Sequence, residues 1–335
     1  MTLPLSPPVL RTLAAAAVIP EDIQESAPLT GGTYNTLVRV VLRDRRRWVV
    51  KLPPPATGGT TLTYEHDLLR AESVYYDAAS RVDGVPMPRV VHTQLDGDPA
   101  TVTGLVMTER PGVPWQQTGQ DLQTHERGLL RAELGGHVAR LHTLTGPAFG
   151  YPARPFGPPP ATWRQAFTEM TDAVLDDAER FHAQLPRPVG TVRTILASAA
   201  DVLDDVTRPA VVHFDLWEGN LLLDGPPGHR SLSGIIDGER MFFGDPVAEF
   251  VSLALFGDIE EDEAFLTGYA AAGGRAPFTD SMRLRYQLYR AYLYLIMLVE
   301  TVPRRYGPER RAWAWTHAGK ELTVALDAVT AATTL

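Results

Sequence analysis

Between residues 37 and 108 the apolar positions fall into short β-branched runs separated by turns. Residues 37–42 and 48–52 are rich in Val and Leu and flank Arg43-Asp44-Arg45-Arg46-Arg47, the pattern of a hairpin or meander. The arginine run itself reads as a solvated turn. Pro53-Pro54-Pro55 and Gly58-Gly59 then break the chain, and over 62–81 Leu68, Leu69, Val74 and Tyr75 or Tyr76 recur at helical spacing. A further strand pair is predicted at 89–94 and 101–108, around the turn Asp96-Gly97-Asp98-Pro99. The first hundred residues thus read as strands with one helix. Arg110-Pro111-Gly112-Val113-Pro114 closes this β-rich part, which places a division between residues 1–109 and 110–335.

Beyond that point the period changes from two to between three and four. Residues 129–144, 162–184 and 189–206 carry apolar positions at helical spacing, with Pro and Gly clusters between them. Short strands are predicted at 210–212, 221–223 and 233–236, and helices resume from 246 to the end. No internal repeat is visible.

Composition narrows the classes. A chain of 335 residues is long for one core and suggests two lobes or domains, at about 150 residues each. With 44% hydrophobic and 21% charged residues it is globular, not disordered or fibrous. The absence of cysteine excludes disulfide scaffolds, zinc ribbons, iron–sulfur clusters and thiol nucleophiles, so any metal must bind through oxygen or histidine. A net charge of -9 argues against nucleic acid as a partner and suits a cationic ligand. The apolar run 13–19 is too short for a secretory core and 291–299 is half a bilayer span, so a cytoplasmic protein with no membrane partner is expected.

The chemistry concentrates in His213-Phe214-Asp215-Leu216-Trp217-Glu218-Gly219-Asn220, followed by Leu221-Leu222-Leu223 and then Ile235-Ile236-Asp237. H-x-D-x-x-x-x-N with a second Asp after an apolar strand is the pattern of phosphoryl transfer on a kinase-like scaffold. A hydroxyl nucleophile must be aimed at the γ-phosphate and relieved of its proton, which a fixed carboxylate does; Asp215 is that candidate. Magnesium takes hard oxygen ligands, and an amide plus a carboxylate supply two without excess charge; Asn220 and Asp237 are those candidates. His213 reads as a brace for the loop. Asp245, before Pro246 and an apolar run, reads as a helix N-cap that supports the site from behind.

These residues, with Gly244-Asp245-Pro246, resemble the aminoglycoside phosphotransferase family, whose members include fructosamine, choline and homoserine kinases. The likeness runs from about Leu29 to Glu300. It implies an α+β, bilobal protein-kinase-like fold with a small β-rich N-lobe and a larger, mainly helical C-lobe, and ATP and Mg2+ as cofactors. It implies that Gly31, Gly32, Thr33 and Asn35 belong to the nucleotide loop. Lys51, the only lysine before Lys320, would hold the α- and β-phosphates, and Glu72, with Glu65 as fallback, would pair with it. Met107, Thr108 and Arg110 would form the inter-lobe hinge beside adenine. The chain departs from the family pattern at Phe214 and Gly238, which bears on the identity of the substrate and leaves the magnesium ligands untouched.

The acceptor is then a small molecule, and the acidic stretches containing Asp172, Asp176, Asp177 and Glu179 and the run 258–263 would draw a cationic one, such as an aminoglycoside or another aminated antibiotic. Both stretches also suit plain solvated faces or helix starts. Trp163, Trp313 and Trp315 could line its pocket, although their spacing also suits a core. Alternatives are a metabolic kinase for an amino sugar, choline-like alcohol or hydroxy amino acid, a silent nucleotide-binding regulator, and a metal phosphoesterase built on His213, Asp215 and Asp237. The last leaves the glycines, Lys51 and the hinge unexplained.

Overall fold

The β-branched runs of the first third assemble into one five-stranded antiparallel sheet. A computed structural model describes residues 5–29, 35–53, 61–95 and 104–334. Its strands are β1 (Ile23–Pro28), β2 (Thr36–Leu42), β3 (Arg47–Leu52), β4 (Val90–Gln94) and β5 (Gly104–Thr108), in the order β1-β2-β3-β5-β4. The predicted hairpin is β2–β3, closed by a tight turn in which Arg45 takes a φ of 73° and the Asp44 carboxylate accepts the Arg46 amide.

Strand alternation assigns the two faces of this sheet. Trp48, Val50, Leu52, Val40 and Val106 point to one side, into a small core completed by Val9 and Leu13 of helix α1 (Pro7–Ala15). Val49 and Lys51 point to the other, opposite Met107 and Leu105, toward helix α2 (Leu68–Ala79). Helix α1 adds a second helix to the one expected in the first hundred residues. Only Val9, Thr12 and Leu13 are buried on it, too few turns for the period to stand out in sequence.

The single helix expected at 62–81 is divided. A 3-10 turn at Thr63–Glu65 is followed by Asp67 in the left-handed region (φ 55°), and α2 starts only at Leu68. The Glu65 side chain folds back to accept the Leu62 amide at 2.7 Å, which turns the chain before the helix begins.

After β5 the chain crosses to a second layer. Strands β6 (Val113–Pro114), β8 (Leu221–Asp224) and β9 (Ser231–Ile235) form one small sheet, and β7 (Ala210–Val212) pairs with β10 (Phe242–Gly244) in another. The remainder is helical: α3 (Trp115–Thr118), α4 (Thr124–Leu141), α5 (Trp163–Arg180), α6 (Val189–Ser198), α7 (Phe250–Leu253), α8 (Glu263–Ala271), α9 (Asp280–Val299), α10 (Pro308–Ala314) and α11 (Lys320–Thr333). Helix α9 runs through the centre, with Tyr289, Tyr292 and Leu295 fully buried. The helix expected at 189–206 winds down to a 3-10 turn after Ser198, placing Asp201 and Asp204 beside Arg164. Trp163 is wholly buried, whereas Trp313 and Trp315 stay exposed. The mixed architecture, a β-sheet N-terminal region and a helical C-terminal region, is the one expected.

Candidate active site

Lys51 leaves β3 on the face turned toward α2 and the second layer. Its Nζ lies 2.7 Å from Glu72 of α2, 2.5 Å from Asp237 and 2.8 Å from Glu239, and the side chain is buried. Burial alone would discharge this ammonium, but the three carboxylates hold its pKa well above the ordinary lysine value. Burial pushes Glu72 up to about 7 against the pull of Lys51. Asp237 is also desolvated, yet Lys51 outweighs that and keeps it below the ordinary carboxylate range. Glu65 does not reach Lys51; it pairs with Arg304 instead.

Asp237 follows β9 and takes a φ of 65°. Its amide donates to the Tyr76 hydroxyl at 3.0 Å, which donates to Glu72 at 3.0 Å, so α2 holds the loop and the lysine's partner together. Gly238 makes this possible: a Cβ there would lie 2.4 Å from Cδ1 of Tyr75. Asn35 donates to Glu239 at 2.6 Å, which brings one residue of the expected nucleotide loop to the cluster. Gly31, Gly32 and Thr33 lie outside the described residues.

The segment from His213 to Asn220 links β7 to β8 and is fixed from below. Both oxygens of buried Glu249 accept backbone amides, from His213 at 2.7 Å and Phe214 at 2.8 Å, and Ser252 Oγ accepts that of Leu216 at 2.9 Å. The His213 ring lies within the loop's hydrogen bonds: Nε2 is 3.0 Å from the Ile236 carbonyl, and Nδ1 accepts the Asp215 amide at 3.2 Å. Phe214 takes a φ of 64° and turns its ring inward against Phe242 and Tyr292, leaving Asp215 facing the cleft. Asn220 Nδ2 donates to the carbonyl of Asp215 at 2.9 Å and to its Oδ2 at 3.2 Å.

A cavity of about 350 Å3 joins Lys51, Asp237, Asn220 and Asp215 in one space. Burial pushes the Asp215 carboxyl up to about 7, opposed by Arg240, whose Nε lies 4.0 Å away. Such a carboxyl is poised to take a proton near neutral pH. The sequence profile of the phosphotransferase enzyme family matches residues 25–288, most of the chain. The chain belongs to this family.

It is a phosphotransferase, a small-molecule kinase. A protein of Lactiplantibacillus plantarum named probable ketoamine kinase is 26% identical over 300 residues, covering 86% of this chain and 92% of that protein. Among solved structures, a candidate fructosamine-3-kinase from Thermobifida fusca superposes with a TM-score of 0.66 at 21% identity, covering 97% of this phosphotransferase and 98% of that chain. A thermostable mutant of aminoglycoside phosphotransferase APH(4)-Ia, in a ternary complex with AMP-PNP and hygromycin B, gives 0.59 at 17% identity, covering 91% and 94%. At these identities the structures share the protein-kinase-like fold.

Within this phosphotransferase the other expected residues occupy distinct places. Met107 is buried on the face of β5 that carries Lys51's neighbours, opposite Val49. Thr108 donates its amide to the Arg89 carbonyl, and Arg110 Nε donates to the Ser233 carbonyl. None of these three lines the cavity. Asp245 caps the turn at Pro246–Glu249 and is held by Arg285 and Tyr289, away from Lys51. Asp172 and Asp176 pair with Arg193, and buried Asp177 accepts from Thr63. The run 258–263 does border a wider cavity of about 950 Å3 that adjoins the first through Trp217 and Trp313.

Three residues of the site carry no signal that stands out in sequence. Glu239 joins the lysine cluster, Arg240 borders Asp215, and Glu249 holds the loop from 36 residues downstream. For the first two, the cue is the departure from the family pattern at Gly238, which marks Gly238-Glu239-Arg240 as a stretch that alters the rim of the site.

Proposed function

We propose that this phosphotransferase transfers the γ-phosphate of ATP, with magnesium, to a hydroxyl of a ketoamine, a sugar joined to an amine. The observation that carries the reading is the single cavity in which Asp215 faces Lys51, Asn220 and Asp237. The likeness to a probable ketoamine kinase supports the acceptor class. On this reading residues 1–109 form the nucleotide-binding lobe and 110–335 the catalytic lobe. Gly31, Gly32, Thr33 and Asn35 cover the phosphates, and the backbone beside Met107, Thr108 and Arg110 meets adenine.

The donor set suits magnesium. Asn220 spends its NH2 group on Asp215, which leaves the amide oxygen as a ligand, and Asp237, in the same cavity, adds a carboxylate. Asn220 and Asp237 would hold the ion, with Glu239 beside them; when bound, it offsets charge on the phosphate oxygens. Lys51, kept in place by Glu72, neutralises the α- and β-phosphates. Asn220 fixes Oδ2 of Asp215, so Oδ1 orients the acceptor hydroxyl and takes its proton as the oxygen attacks the γ-phosphorus and the bond from that phosphorus to the bridging oxygen breaks, releasing ADP.

A second reading, an aminated antibiotic as acceptor, is favoured by the wider cavity, whose rim carries Glu218, Asp258, Glu261 and Glu263. Acceptor-dependent ADP release across ketoamines, aminoglycosides and amino alcohols, with Asp215→Asn as the blank, separates them. Turnover of ketoamines is expected. Turnover confined to an antibiotic class would replace the first reading with the second.

A further inference from the structure

Three arginines border the cavity that contains Asp215, and they are not equivalent. Arg240 donates to Glu300 at 2.9 Å, and Arg304 is shared between Glu65 and Glu300. Arg310 has no carboxylate at ion-pair distance among the described residues. Its guanidinium lies over the ring of Tyr306, 3.7 Å from the centroid, which fixes the charge without neutralising it.

Arg310, Trp313 and His317 follow one another at spacings of three and four, so they share one face of α10 and the turn after it, and Tyr306, just ahead of the helix, packs against Arg310. Tyr306, Arg310 and Trp313 all line the cavity that contains Asp215. Trp313 is 47% exposed, stacks on His317 at 4.7 Å and meets Phe256 edge-on at 5.5 Å. The His317 ring also hydrogen-bonds the Trp313 carbonyl at 2.8 Å, at the start of a π-helical turn over Trp315–Gly319. Wide turns of this kind interrupt a regular helix at a cost and concentrate at functional sites. The result is a flat aromatic face and an uncompensated planar cation on one side of the catalytic cavity.

We infer that the acceptor carries a carboxylate, received by Arg310, while Trp313 covers the face of its sugar ring. The inference deepens the ketoamine reading and rests on it: the acceptor is the ketoamine of an amino acid whose carboxylate is free. A guanidinium matches a carboxylate with two parallel hydrogen bonds, which a neutral amide cannot reproduce. Arg310 thereby acts in specificity, at a distance from the phosphate-transferring groups.

The test uses a matched pair, fructosyl-glycine and fructosyl-glycinamide, which differ only in the carboxylate. The wild-type protein is expected to favour the acid in kcat/KM by roughly tenfold, mainly through KM and less so at high salt. Arg310→Gln is expected to remove the preference, and Arg310→Lys to restore part of it, with melting temperatures matching wild type. Equal use of the two acceptors by wild type, or a preference that survives Arg310→Gln, would overturn the inference. If neither acceptor is phosphorylated, the ketoamine reading fails separately. Arg310 is then judged by titrating the same pair into the Mg-ADP-loaded protein and following tryptophan fluorescence. Tighter binding of the acid that Arg310→Gln abolishes supports the carboxylate role, and no difference, or no binding of either, refutes it.

Discussion

Asp215 holds a carboxyl whose ionised form the fold disfavours. Burial raises it from the usual 3.8 to about 7, so the folded protein keeps a proton that the unfolded chain releases. The stability this proton supplies is complete below the unfolded value and is lost as pH rises through about 7. Asp215→Asn removes the ionisation while keeping an oxygen to accept from Asn220. It is expected to raise the melting temperature by about 2–4 °C at pH 8 and leave it nearly unchanged at pH 4, as read by calorimetry. The same variant is expected to lose about 10²–10⁴-fold in kcat, and the wild-type rate to fall below neutral pH as Asp215 protonates. Residues such as Asp215 and Asn220 are legible in sequence because spacing along one loop encodes their juxtaposition. Glu249 is not legible, because its partners are backbone amides far upstream and its letter is that of any surface acid.

Between elements, α4 and α8 approach closely. A Cβ at Gly268 would lie 1.9 Å from the Ala132 carbonyl oxygen, so the two backbones meet with no side chain between them. Gly268→Ala is expected to destabilise the protein by about 1–3 kcal/mol through overpacking, measured by urea unfolding. Long periodic helices such as α5 were readable, and Thr162, which accepts the Gln165 amide, marks its start. The elements that hide are short ones set by tertiary contact. Strand β10 is three residues whose pairing with β7 comes from across the fold, and Glu65, whose bond to the Leu62 amide turns the chain before α2, is itself held by Arg304. Neither partner is near in sequence, so no local pattern records them.

Across the whole molecule, the segment leading into α2 is tied to the second layer. Buried Asp177 of α5 accepts the Thr63 amide at 2.6 Å and its hydroxyl at 2.8 Å, and Arg180 donates to the Thr61 carbonyl at 2.9 Å. Since α2 carries Glu72, these bonds set where Lys51 is held. Asp177→Ala is expected to lower stability by about 1–3 kcal/mol and to raise KM for ATP more than KM for the acceptor, checked by steady-state kinetics. The division of the chain into a sheet and a helical region was visible in the change of apolar period, whereas these ties were not. Helix α1 carries a different consequence. It precedes in synthesis the strands it covers, and that sheet is complete only when β5 has been made, some hundred residues later. At about 5–20 residues per second its apolar stripe waits several seconds on the ribosome without a partner. During that interval the burial of Val9 and Leu13 is deferred until the sheet exists to receive them.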